Sequence, residues 1–204
     1  QVAMLAADGR AAVHTGADCI SAAGDRIGDG VSAQANCVES PRVWESMIDA
    51  FGGASGSLAE RLLAALDAAE AAGGDWRGRQ AGAIYVVPAE GQRWETVCDL
   101  RVDDHPEPLE ELRRLLRLHE GYTAIGEVDD SATVARAAGM ADLDVRFAEI
   151  LDAARAGEPD RARELLAPLV AQDVRWRDYF RVLGDRGYLP HADRVLARDE
   201  HAAS

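Results

Sequence analysis

Apolar and polar positions alternate strictly along residues 31–38. Val31, Ala33, Ala35 and Cys37 point one way, and Ser32, Gln34 and Asn36 point the other. That two-residue period predicts a strand with one covered face. Residues 2–7 and 11–15 flank Asp8-Gly9-Arg10, and an Asp-Gly pair supplies the positive φ angles of a tight β-hairpin turn. Residues 16–30 are rich in Gly, Asp and Ser around Cys19 and Ile20, which predicts a short strand among turns. The run Ala81-Gly82-Ala83-Ile84-Tyr85-Val86-Val87 reads as a strongly apolar strand. After a turn at residues 88–92, residues 94–102 read as its return strand. The apolar phase slips between Val97 and Leu100, as at a bulge.

Elsewhere the apolar spacing is helical. Ser40-Pro41 predicts a helix start with serine as N-cap and proline at the first position. Val43, Trp44, Met47, Ile48 and Phe51 follow, and Gly52-Gly53 ends the pattern. Ser57 and Glu60 make a capping box for a second helix, whose face carries Leu58, Leu62, Leu63, Leu66 and Ala69 before Gly73-Gly74. A third helix is predicted over residues 107–119, with Leu109, Leu112, Leu115 and Leu116 inward and Glu110–Arg114 as an i,i+4 pair. Residues 121–130 read as a linker. Beyond them the pattern is helical only, with stripes at Leu143/Phe147/Ile150/Leu151, Leu165/Leu166/Leu169, Tyr179/Phe180/Leu183 and Val195/Leu196.

Composition narrows the function. The formal charge of -14 argues against a nucleic-acid partner, because phosphates are repelled by the average surface. All 22 basic residues are arginine, which excludes a lysine nucleophile, a Schiff base and a P-loop. No apolar run is long enough to cross a bilayer, so no membrane partner is expected. No secretory signal is visible, and a cytoplasmic location is expected. The chain opens with Gln1 directly on a strand pattern, which is read as a fragment or processed product. Cys19, Cys37 and Cys98 have neither disulfide-framework nor zinc spacing. Asp103-Asp104-His105 places three metal-ligating types in a row. Adjacent strand residues face opposite ways, however, and two acids before a helix suit its N-terminal dipole better. No metal and no cofactor are expected.

The candidate chemistry lies in Gly73-Gly74-Asp75-Trp76-Arg77-Gly78-Arg79-Gln80. Its three glycines let the backbone turn sharply at the mouth of a sheet and present two arginines, an aspartate and a glutamine. The plain alternative is a turn whose arginines are solvated or pair with Asp75. Gln34 and Asn36 add two amides on one strand face, which are either site residues or the wetter side of the sheet.

Six ordered blocks carry a family resemblance: Val13-His14-Thr15-Gly16, Cys19-Ile20, Ala23-Gly24, Gln34-Ala35-Asn36, Gly73-Gly74-Asp75 with Gly78-Arg79-Gln80, and Leu100-Arg101-Val102-Asp103-Asp104-His105. Together they resemble the DUF1028 family, of unassigned function, over about residues 1–120. The resemblance implies an α+β fold, an N-terminal-nucleophile (Ntn) hydrolase-like α/β/β/α sandwich incomplete at its N-terminus, over residues 1–122. Residues 130–204 would form a small all-α domain that resembles a peptidoglycan-binding domain. The Ntn mechanism needs Thr, Ser or Cys at position one, so the nucleophile is expected upstream of Gln1 and the chain as given is expected to be inactive by that route. From residue chemistry, Gln34 and Asn36 would donate to an oxyanion. Arg79 would clamp a substrate carboxylate, Asp75 would hold Arg79 or Arg77, and Gln80 would line the same site. The substrate class is a small-molecule or peptide amide. The alternative is a non-catalytic module that binds a partner protein or peptidoglycan through the tail, with Trp176 and Tyr179 stacking on sugar beside Arg175 and Arg177. A homo-oligomer fits either reading.

Overall fold

The computed structural model describes residues 1–92 and 94–197. Gly9, at φ +85°, closes the first hairpin, in which β1 (Val2–Leu5) pairs antiparallel with β2 (Ala11–His14) from Val2–His14 to Leu5–Ala11. β3 (Gly24–Gly28) pairs antiparallel with β4 (Val31–Ala35), and β5 (Gly82–Val86) with β6 (Cys98–Val102). The strands make three two-stranded sheets, and with eight helices among the described residues the class is mixed α+β.

Two compact units divide the chain, one over residues 1–116 and the other from Arg117 onward, and the division falls inside α3 (Pro108–Ala124). In the first unit, α1 (Arg42–Gly53) lays Val43, Trp44 and Ile48 against Ala33 and Val38. A second cluster joins Leu63 of α2 (Leu58–Ala71) to Ile84 and Val86 of β5, Cys98 and Val102 of β6, and Leu112 and Leu116 of α3. The second unit contains α4 (Ser131–Ala137), α5 (Asp142–Arg155), α6 (Pro159–Gln172), α7 (Arg175–Asp185) and α8 (Ala192–Val195). Its core joins Ile150, Leu151, Leu166, Leu169, Phe180 and Val195. Residues 198–204 of the predicted helical tail lie outside the described residues. Among the described residues no helix is long and apolar enough to cross a membrane.

The expected elements form, with local corrections. The strand predicted over 31–38 stops at Ala35, because Cys37 takes φ +58° and breaks the alternation. Cys37 and Val38 instead bond to Ile20 and Ala22 and are both buried. Ser40 offers no side-chain cap; Pro41 itself is the N-cap of α1. The capping box of α2 does form: the Glu60 amide donates to Ser57 Oγ at 3.2 Å, and the Ser57 amide to Glu60 Oε2 at 2.6 Å. The return strand shortens to β6 and pairs with β5 residue for residue, without a bulge. On α3 the ion pairs are Glu110–Arg113 and Glu111–Arg114, at i,i+3 rather than i,i+4. The helix also continues five residues beyond its predicted end at His119, to Ala124. α4 had no predicted counterpart. It buries Ala132 and Ala135, which leave no large-residue stripe, and Asp152 holds its start by accepting from Ser131 Oγ and the Ala132 amide.

Candidate functional site

In the first unit a cleft of about 920 Å³ is lined by Gln34, Asn36, Asp75, Arg79 and Gln80 together. Residues 34 to 80 of the sequence bring them there by three routes. β4 carries Gln34, the chain leaving β4 carries Asn36, and the loop between α2 and β5 carries the rest. Gly73 and Gly74 turn that loop at φ +120° and +57°, and their amides cap α2 by donating to the Glu70 and Ala69 carbonyls. A β-bridge between Val38 and Asp75, with the Trp76 amide donating to the Cys37 carbonyl at 3.1 Å, ties the loop to the segment after β4. At its far end the His105 amide donates to the Gln80 carbonyl at 2.9 Å. The loop is thus anchored at both ends by backbone bonds.

Its side chains are engaged as well. Arg77 donates to both Asp75 oxygens, at 2.9 and 2.6 Å, and its own amide donates to Asp75 Oδ1. That pairing holds the Asp75 carboxyl down at about 2, well below its ordinary value. Of the two partners expected for Asp75, the structure selects Arg77. Arg79 instead donates through Nε to Glu70 and through Nη1 to Glu107, both at 2.5 Å. Those carboxylates, Glu70 first, push the guanidinium further toward its charged form. Gln80 Nε2 donates to Asp104 at 3.4 Å.

The amide side of the cleft belongs to a second network. Asn36 Nδ2 donates to Gln1 Oε1 at 3.2 Å. Gln1 Nε2 donates to Thr15 Oγ1 and to the Gly24 and Ala35 carbonyls. Thr15 in turn donates to Asp25, which pairs across the hairpin with Gln34. Ser32 Oγ donates to Gln34 Oε1 at 2.9 Å, leaving the Gln34 amide nitrogen without a protein acceptor among the described residues.

Sequence reasoning missed Glu70 and Glu107, which hold Arg79, and the set of Gln1, Thr15 and Asp25. Glu70 ends one helix and Glu107 precedes another, so their meeting on Arg79 depends on tertiary packing. The only sequence signal was local, a carboxylate beside each helix boundary. Asp103-Asp104-His105 is spent locally: Asp103 accepts from Arg101, Asp104 from Gln80, and His105 Nδ1 from the Glu107 amide at 3.0 Å. Among the described residues no group of metal-ligating side chains converges. Cys19, Cys37 and Cys98 form no disulfide among the described residues.

The second unit holds a separate cavity of about 670 Å³, lined by Tyr122, Leu143, Asp144, Phe147, Trp176 and Tyr179 among others. Trp176 and Tyr179 stand at 89° with ring centroids 5.8 Å apart. The arginines expected to flank a sugar there are both engaged: Arg175 grips Asp173, and Arg177 donates to the Leu196 carbonyl.

A solved relative is protein SPO2555 from Silicibacter pomeroyi, described with the DUF1028 family model. It is 30% identical, with 56% of this chain and 48% of that chain covered and a TM-score of 0.48. The chain therefore spans about half the length of this relative. Nothing among curated proteins matches the chain. The family model described as "Family of unknown function (DUF1028)" matches residues 1–112, more than half of the 204 residues, and the chain belongs to the DUF1028 family.

Proposed function

We propose that the first unit is part of an Ntn-type amide hydrolase, with its cleft receiving the substrate amide and the nucleophile supplied from outside these 204 residues. The observation that carries this reading is the convergence of Gln34, Asn36, Asp75, Arg79 and Gln80 on one cleft. An amide hydrolase needs donors aimed at the oxygen that becomes negative in the tetrahedral intermediate. Asn36 already donates one N–H to an amide oxygen, that of Gln1, and keeps a second. The Gln34 amide nitrogen is the other donor. Arg79 keeps the remainder of its five N–H donors but is balanced by two carboxylates, so it suits a neutral polar part of the substrate better than a free carboxylate.

The sandwich reading draws support from the burial pattern. β5 turns Ile84 and Val86 into the core shared with α2 and α3, while Tyr85 on its other face and Val87 just past its end are exposed by more than half. The β1 strand is exposed along its whole length, with Met4 at 70%. Helices on one face and a bare apolar opposite face are what one half of an α/β/β/α sandwich looks like.

The test is turnover by the protein expressed from its complete reading frame, on a panel of small amides and dipeptides. Hydrolysis is expected, and Asn36→Ala should lower kcat by about 100-fold, in the range for one lost oxyanion donor. Unchanged hydrolysis of every cleaved amide by both Asn36→Ala and Arg79→Ala would remove this cleft from the reaction. A second reading, a non-catalytic module binding a partner protein or peptidoglycan, is favoured by the aromatic cavity of the second unit. Failure of the full chain to sediment with peptidoglycan would count against its glycan form.

A further inference from the structure

We propose that the cavity of the second unit binds an organic cation of the alkylammonium type, seated between Trp176 and Tyr179 and paired with Asp144. This site is independent of the amide-hydrolase reading. Three observations lead to it.

The first is shape. Trp176 and Tyr179, one helical turn apart on α7, pack at right angles, edge to face, and both line the cavity. Phe147 of α5 lies 6.0 Å from Tyr179 and 5.5 Å from Phe180, which anchors the pair to the buried core. An aromatic face attracts a cation through its ring quadrupole, most strongly when it is tryptophan's. The cavity of about 670 Å³ has room for a small ligand. Tyr122 and Tyr179 remain half exposed beside it, so the rings stay accessible.

The second is charge. Of the two carboxylates lining the cavity, Asp173 is matched by Arg175, with guanidinium contacts of 2.5 to 3.0 Å. Asp144 has no ion-pair partner among the described residues. Among the described residues it accepts the Tyr122 hydroxyl alone, at 2.9 Å, on Oδ2. The same bond raises the Tyr122 hydroxyl above its ordinary range, so tyrosine remains the donor. Asp144 lies in the first turn of α5, where the helix dipole also favours its charge. The cavity therefore carries one unbalanced negative charge, and a cation complements it.

The third is what the cavity lacks. A glycan needs several donors and acceptors around its stacking platform, and guanidinium groups are the natural donors. Arg175 and Arg177, on either side of Trp176, are committed to Asp173 and to the carbonyl that ends α8. The remaining aromatic walls and single carboxylate suit a cation with an apolar shell.

The experiment titrates the full chain with choline chloride at constant ionic strength, following tryptophan fluorescence and the Trp176 indole NMR signal. The comparison ligand is choline's neutral isostere, in which carbon replaces the ammonium nitrogen. Saturable choline binding is expected at millimolar or lower concentration, with the neutral isostere weaker by about tenfold. Asp144→Asn should weaken choline by a similar factor while the unliganded chain still unfolds cooperatively, and Trp176→Ala should abolish binding. The proposal fails if choline gives no saturable response, if the neutral isostere binds equally well, or if Asp144→Asn binds choline as tightly as the parent. It fails equally if N-acetylglucosamine oligomers occupy the cavity and displace choline, which would make it a glycan site.

Discussion

Replacing Gly24 with alanine should destabilise the first unit through a single contact. A Cβ built at Gly24 lies 2.5 Å from Trp44 Cζ2 and 3.0 Å from Cε2 and Cη2. Carbon atoms in contact prefer roughly 3.5–4.0 Å, so the hairpin and the indole must separate by about 1 Å. Trp44 is 7% exposed and packed with Val43, Ile48, Ala33 and Val38, so it has little room to yield. Overpacking of this kind costs about 1–3 kcal/mol. Gly52→Ala is the control: it lies in α1 with nothing within 4 Å of its Cβ, and should be neutral or stabilise by up to ~1 kcal/mol. Urea unfolding followed by tryptophan fluorescence reads both, since Trp44, Trp76 and Trp94 all lie in the first unit. Trp44→Phe removes the offending ring edge, so the double variant should recover part of the loss, with a coupling of about 1 kcal/mol. A neutral Gly24→Ala, or strictly additive variants, would refute the steric reasoning. Gly24 pairs with Ala35, between Gln34 and Asn36, so the same substitution should also disturb the amide side of the cleft.

Two further outcomes follow from other contacts. Asp152→Ala should cost about 2–4 kcal/mol in thermal or urea unfolding, because it strands the fully buried Ser131 hydroxyl and the Ala132 amide without acceptors. Asp75→Asn should be less stable than the parent at neutral pH. Because pairing with Arg77 lowers the folded-state carboxyl from 3.8 to about 2, that contribution is complete above 3.8 and is lost as pH falls through about 2. The two unfolding curves should therefore converge across that window, and a gap that persists at the acid end would rule out the ion pair as its source.

Much of this architecture was written in local pattern. Asp8-Gly9 set a hairpin, Ser57 and Glu60 formed their capping box, and the leucine stripes of α2 and α3 became the core around Ile84 and Val86. The loop carrying Asp75, Arg79 and Gln80 was legible because its glycines demand positive φ. Features that depend on distant packing were not. The positive φ of Cys37 follows from its bonds to residues near Ile20, and no alternation rule contains them. α4 hid because alanines fill its buried face. The two glutamates on Arg79 come from 9 residues before it and 28 residues after, a meeting only the fold creates.

The most direct measurement is intact mass with N-terminal sequencing of the protein made from its complete reading frame. An Ntn hydrolase requires a mature chain that begins, upstream of Gln1, with a free Thr, Ser or Cys. That is the expected result, and it would make the cleft around Asn36 and Arg79 the place to look for substrate. A mature chain that begins at Gln1, or at any residue without a side-chain nucleophile, would contradict the hydrolase proposal.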